Sequence, residues 1–140
     1  GTVSFGEVAM QPGKPQGFGF VGEDSTPIIT LPGNPVSSYV SFEVFVLPAL
    51  RSMLGLEPVS RPERSAQLTS PITSPQGKRQ YLRGRLAEHE GSLVVEPVGG
   101  AGSHLMGGLA VADALIVVDE DVVALDAGAM VPVLDLERRF

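Results

Sequence analysis

Apolar residues recur among small or polar ones over 2–10, at Val3, Phe5, Val8 and Met10, and this spacing predicts a strand. Shorter apolar runs at 18–21 and 28–31 predict two more, the second stopping at Pro32. Between the first two, Gln11-Pro12-Gly13-Lys14-Pro15 reads as a turn, because two prolines of fixed φ flank a permissive glycine. Lys14 is then held at its tip. From Pro35 the period changes: Val36, Tyr39, Val40, Phe42, Leu50 and Met53 belong to a helix predicted over 35–54, apolar nearly all round and therefore buried on more than one side. Asn34 is its N-cap, Pro35 its first residue and Gly55 its stop. Pro48 lacks a backbone donor and predicts a kink.

Residues 57–64 are polar and contain Pro58 and Pro62, the composition of a linker between separately packed units, which divides the chain into 1–56 and 57–140. Strands are predicted beyond it at 65–70, 79–88, 92–98, 114–118 and 130–136, spaced by Ser, Pro and Gly turns. Ser103 is placed to cap a short helix after the glycine-rich run 99–102. The expected fold class is α/β plus all-β: the closing strands and long helix of an α/β domain, then a small β-barrel or sandwich.

Composition agrees with many short elements, since 17 glycines and 12 prolines stand against six Phe, two Tyr and no Trp. A formal net charge of −6 argues against broad electrostatic binding of nucleic acid or an anionic membrane, which needs clustered Lys and Arg. The lack of cysteine excludes disulfides and thiolate metal sites. No run approaches the roughly 18 apolar residues of a membrane span, so a soluble, cytoplasmic protein is expected. The chain opens directly on this strand, and truncation from a longer protein is therefore expected.

The candidate chemistry begins where the helix does. Leu31-Pro32-Gly33-Asn34-Pro35-Val36-Ser37 turns from strand to helix and leaves backbone N–H groups at the positive end of the helix dipole. With Lys14 beside them they would cradle a phosphate or another oxyanion. A plain turn and cap explains the same spacing and is the commoner meaning. Two prolines bracketing two small residues, however, specify a backbone shape more tightly than a cap needs, and rigidity is what a preorganised oxyanion site requires.

Arg83, between Arg79 and Arg85, is either a fork facing a phosphate-binding cleft or part of a solvated strand face. Ser103 either caps its helix or donates to a substrate. His104 reads as an exposed histidine and His89 as a hairpin edge. Glu23-Asp24 and Asp119-Glu120-Asp121 read as solvated turns, and no metal ligand is assigned. The run 99–102 lacks the spacing of a dinucleotide fingerprint.

Gln11-Pro12-Gly13-Lys14-Pro15 followed by Phe18-Gly19, and then Leu31-Pro32-Gly33-Asn34-Pro35-Val36-Ser37, resemble the paired signatures of the molybdopterin molybdenumtransferases, the MoeA and gephyrin E-domain type. Ser41-Phe42-Glu43, Pro48-Ala49-Leu50, Leu82-Arg83-Gly84 and Gly102-Ser103-His104 continue the likeness. Gln11 stands where many relatives carry a basic or aliphatic residue, which rests the positive charge near the loop on Lys14.

The resemblance implies an enzyme of molybdenum cofactor biosynthesis. It would insert molybdate into adenylylated molybdopterin and release AMP, with a magnesium ion whose ligands come from upstream of this chain. It further implies that Gly13, Lys14, Gly33, Asn34, Ser37, Arg83 and Ser103 bind substrate or oxyanion. Pro32 and Pro35, with Lys14, would form the catalytic loop. The whole protein would be a homodimer, and this fragment would be inactive alone. The alternative is a non-catalytic interaction or dimerisation module, since the gephyrin E domain also anchors receptors.

Overall fold

The computed structural model describes residues 1–99 and 111–140. Three antiparallel strands, β1 (Thr2–Glu7), β3 (Pro15–Val21) and β4 (Thr26–Thr30), form a sheet in the order β1-β3-β4, with the two-residue β2 (Met10–Gln11) set apart. The strand expected over 2–10 is therefore broken: the Val8 N–H to Lys14 carbonyl bond is the last rung in the β1–β3 register, and the Met10 N–H then turns back to the Val8 carbonyl. The break re-aims Met10 from the sheet into the core, where it is 5% exposed.

The helix begins at Pro35 as expected and runs as α1 (Pro35–Ser41), a wider π-helical segment Phe42–Val46, and α2 (Leu47–Met53). The π segment takes the place of the expected kink. Leu47 N–H bonds to the Phe42 carbonyl five residues back, so the chain widens just before Pro48, which has no N–H to give. The expectation of burial on more than one side does not hold: Val36 and Val40 are buried, whereas Leu50, Met53 and Leu54 are 44%, 68% and 72% exposed.

Beyond the linker, β5 (Glu63–Leu68), β7 (Arg79–His89), β8 (Ser92–Pro97), β9 (Ala114–Val118) and β11 (Met130–Asp135) form a closed five-stranded barrel in the order β7-β8-β5-β11-β9, with β9 returning to β7. Closure selects barrel over sandwich and leaves no edge among these strands. Two short strands that the pattern does not announce, β6 (Ile72–Thr73) and β10 (Ala124–Leu125), pair beside it. The tight turn of the β7–β8 hairpin takes positive φ at Glu90 and Gly91, as a two-residue hairpin loop requires.

β9 is buried at every position. Ile116 and Val118 fill the barrel with Leu68, Val95, Val131 and Val133, while Leu115 and Val117 point the other way onto Met10, Val40 and Leu134. Burial on both faces explains why this strand reads as an unbroken apolar run. Packing thus crosses the linker, and β2 adds to the barrel sheet by pairing in parallel with β7. Among the described residues no helix is long and apolar enough to cross a membrane.

Two tyrosines lie near this junction. Burial pushes the Tyr81 hydroxyl above its ordinary value while Arg79 pulls the other way, and burial with Glu43 raises Tyr39 against Arg61. A phenol raised on folding ionises first in the unfolded chain. Its contribution is whole below about pH 10 and is lost as pH rises through the folded-state value. The urea midpoint is accordingly expected to fall above about pH 10, and a Tyr39→Phe, Tyr81→Phe double variant to flatten that fall. An unchanged slope in the double variant would show that other groups set the alkaline limit.

Candidate functional site

The strand-to-helix loop is held by its own atoms. Asn34 Oδ1 accepts from the Val36 N–H at 3.1 Å, Ser38 N–H reaches the Asn34 carbonyl at 2.9 Å, and the Ser38 hydroxyl donates to the Pro32 carbonyl. Asn34 has extended backbone angles, φ −72° and ψ 129°, as an N-cap requires. With Oδ1 committed to the cap, the Nδ2 hydrogens are the donors Asn34 can turn to a ligand. Gly33 and Pro35 are exposed, Pro32 and Asn34 half-buried and Ser37 buried, so the loop presents backbone over a packed base.

The second proline-glycine turn meets the same helix further along. Gln11–Pro12 is cis and Gly13 takes φ +102°. Gln16 Nε2 lies 2.7 Å from both the Gly13 carbonyl and Ser41 Oγ, tying the turn to the last residue of α1. Ser41 is seven residues past Asn34, about 10 Å along the axis at 1.5 Å per residue. The two signatures are therefore brought onto one helix, at opposite ends of α1.

Lys14 Nζ lies 3.1 Å from Glu7 Oε2, with the two side chains 50% and 72% exposed. A pair this open is worth about 0–1 kcal/mol and yields readily to another anion. Gln16, Ser41 and Glu7 escape sequence reasoning, because a polar residue on a strand and a serine on a helix carry no sign of each other across 25 positions.

Arg83 is 4% exposed, whereas Arg79 and Arg85 on the same strand are exposed, so the solvated-face reading is overturned. Burial pulls its pKa below the ordinary arginine value. In the β7–β9 register Arg83 stands opposite Leu115, and directly opposed residues share a face. That face is the one turned to Met10 and Val40. Arg79 sits at the far end of β7, paired with Asp119 at 3.2 Å and Glu120 at 3.6 Å, so the acidic turn is partly neutralised rather than simply solvated. Ser103, His104 and the short helix expected after them lie outside the described residues.

A groove of ≈ 400 Å³ runs between the three-stranded sheet and the helix, floored by Phe18, Ile29, Phe45 and Ala49. Glu7 and Gln16, the residues that hold the Lys14 turn, form part of its wall. Among the described residues no three His, Asp or Glu side chains converge as metal ligands.

Comparison with known proteins follows the same division. Residues 65–136 match the MoeA C-terminal region (domain IV), and residues 1–52 match a probable molybdopterin binding domain. The chain is 52% identical over 134 residues to molybdopterin molybdenumtransferase 2 of Mycobacterium tuberculosis, covering 96% of this chain and 32% of that protein. It is 43% identical to molybdopterin molybdenumtransferase 1 of the same organism, covering 99% and 34%. A molybdopterin biosynthesis MoeA protein from Pyrococcus horikosii superimposes with a TM-score of 0.77 at 30% identity, over 98% of this chain and 32% of its own. The chain spans about a third of the length of these relatives. With the C-terminal region matched over more than half of its residues, and the MoeA fold present throughout, this chain belongs to the MoeA family.

Proposed function

We propose that this chain is the C-terminal portion of a molybdopterin molybdenumtransferase and supplies the oxyanion-binding loop of that enzyme. The observation that carries the reading is the Pro32–Pro35 loop, fixed from within by the Asn34 cap and the Ser38 hydroxyl, at the start of a helix. Molybdate is a tetrahedral dianion; since Pro35 has no N–H and those of Val36 and Ser38 are bonded within the loop, it would draw on the backbone donors of Gly33, Asn34 and Ser37, held in a loop that needs no rearrangement. Gly33 lets the backbone come close. The Nδ2 group of Asn34 adds a donor, and buried Ser37 supports the first turn.

Lys14 supplies a mobile positive charge, exchanging Glu7 for a substrate oxyanion, while Gly13 keeps its turn against Ser41. Arg83, on the junction face of the barrel, is suited to a phosphate of adenylylated molybdopterin by its planar fork. Insertion of molybdate at the pterin's sulfurs with release of AMP is the reaction these groups would serve. A magnesium ion used in that reaction would take its ligands from upstream of this chain, as the family resemblance implies.

In the full-length protein loaded with adenylylated molybdopterin and magnesium, isothermal titration is expected to show saturable molybdate binding. A Pro32→Ala, Pro35→Ala double variant should weaken it at least about tenfold while remaining folded, since a freed loop must be ordered at each binding event. Equal affinity in the two proteins would remove the loop from the site.

A second reading rests on the apolar groove lined by Phe18 and Phe45, which are 51% and 36% exposed, with Phe20, 48% exposed, packed edge-on against Phe18. Exposed aromatic groups in such a number suit an interaction module, without catalysis in this portion. Wild-type molybdate affinity in the loop variant would favour that role.

A further inference from the structure

The segment between the two units is tied down on both sides. Arg61, within it, forms a two-pronged pair with Glu43 of the π-helical segment, Nε to Oε2 at 3.0 Å and Nη2 to Oε1 at 3.2 Å. The side chains are only 10% and 7% exposed. Its Nη1 also donates to the carbonyls of Asp135 and Arg138, each at 2.8 Å, where the last barrel strand ends. Four of the five guanidinium hydrogens are thus engaged, by helix on one side and barrel on the other.

Arg51 of α2 completes the tie, donating to the Pro58 carbonyl and to Phe140 O, both at 2.7 Å. The Phe140 ring lies between the two arginines, 4.1 Å from the Arg51 guanidinium carbon and 4.8 Å from that of Arg61.

We infer that this junction is a rigid joint and that Arg61 is the positioning residue at its centre, holding the helix and the barrel as one body. A proline-rich polar linker ordinarily permits relative motion. Here the arginine's fork geometry makes the pair directional, and removing either partner strands a buried charge, so small excursions about the linker are opposed from the outset. The helix that starts at Pro35 and strand β7 that carries Arg83 then keep a constant separation. Any opening and closing of a site built from both must come from other parts of the protein. The joint stands whether or not the loop binds an oxyanion; only its service to Arg83 and the loop rests on the proposed function.

Amide exchange in the full-length protein tests this, with two reporters. The Arg79 N–H bonds to the Ala9 carbonyl across the junction, while the Leu68 N–H bonds to the Ala129 carbonyl within the barrel unit. Arg61→Lys keeps the charge and loses the fork. It is expected to speed exchange at Arg79 at least tenfold and leave Leu68 within twofold, because the joint opens without the barrel unfolding. Glu43→Gln should do the same more weakly, and the double variant should be no faster than Arg61→Lys alone. Parallel acceleration at both amides would mean that Arg61 merely contributes to global stability, and no change at Arg79, or additive effects of the two substitutions, would likewise overturn the joint.

Discussion

Replacing Ile116 by alanine is expected to destabilise the chain by about 3–5 kcal/mol, the upper part of the range for large-to-small core changes. Ile116 is fully buried on β9, in the barrel core with Val95, Val118 and Val133. A closed barrel resists collapse, since moving one strand inward disturbs the ladders on both of its sides. Gly84 shows how tightly the space is filled: a Cβ built there would lie 2.6 Å from Val95 Cγ2 and 3.1 Å from Ile116 Cγ1. Gly84→Ala alone should therefore cost about 1–3 kcal/mol by overpacking, and less in the Ile116→Ala background, where part of the room has been vacated. Urea melts of the four proteins measure both terms. Strict additivity would mean that the two positions do not compete for the same volume.

Gly13→Ala should be nearly as damaging, at about 2–4 kcal/mol, for two reasons that add. Its φ of +102° disfavours any side chain, and a Cβ there would meet Ser41 Oγ at 2.8 Å and Met10 Cε at 3.1 Å. Relief requires the turn to lift away from Ser41, which breaks the two hydrogen bonds of Gln16 and releases Lys14 from its place. The variant is expected to lose stability and, in the full-length protein, molybdate affinity together. Lys14→Met, with its surface ion pair, should lose affinity with little change in melting. A Gly13→Ala protein that melts and binds as the wild type does would remove the turn from both roles.

Much of the fold could be read from the chain because its signals are local. Asn34-Pro35 announces the helix start, Gly55 its stop, and the five principal barrel strands follow the apolar runs to within two residues at most ends. What escaped depends on partners distant in sequence. The break before Met10 arises because the Met10 N–H turns back to the Val8 carbonyl once the β1–β3 pairing has run out, and nothing in the period-two pattern records it. The π-helical segment reflects the missing donor of Pro48, a cause that was visible although its outcome was read as a kink. The apolar pattern predicts more helix burial than the fold shows, because apolar side chains identify a surface fit for covering without saying what covers it.

The candidate site divides in the same manner. The loop could be read because prolines and a cap constrain their own neighbours, whereas the burial of Arg83 follows from β7 pairing with β9 some thirty positions away. The tie of Arg61 to Glu43 and Asp135 spans 18 and 74 positions and leaves no trace in composition.

The open sheet β1-β3-β4 has a consequence for how this chain behaves in bulk. Among the described residues its outer strands pair on one margin each, and apolar rings stud both faces, so one molecule offers another a template for strand addition that the closed barrel does not. Pro27, on the outer strand β4, withholds one donor there and acts as a gatekeeper against fibrous stacking. Of the two units, the barrel has closed its strand edges and the sheet β1-β3-β4 has not, so association of one copy of this chain with another in concentrated solution is expected to begin at the sheet.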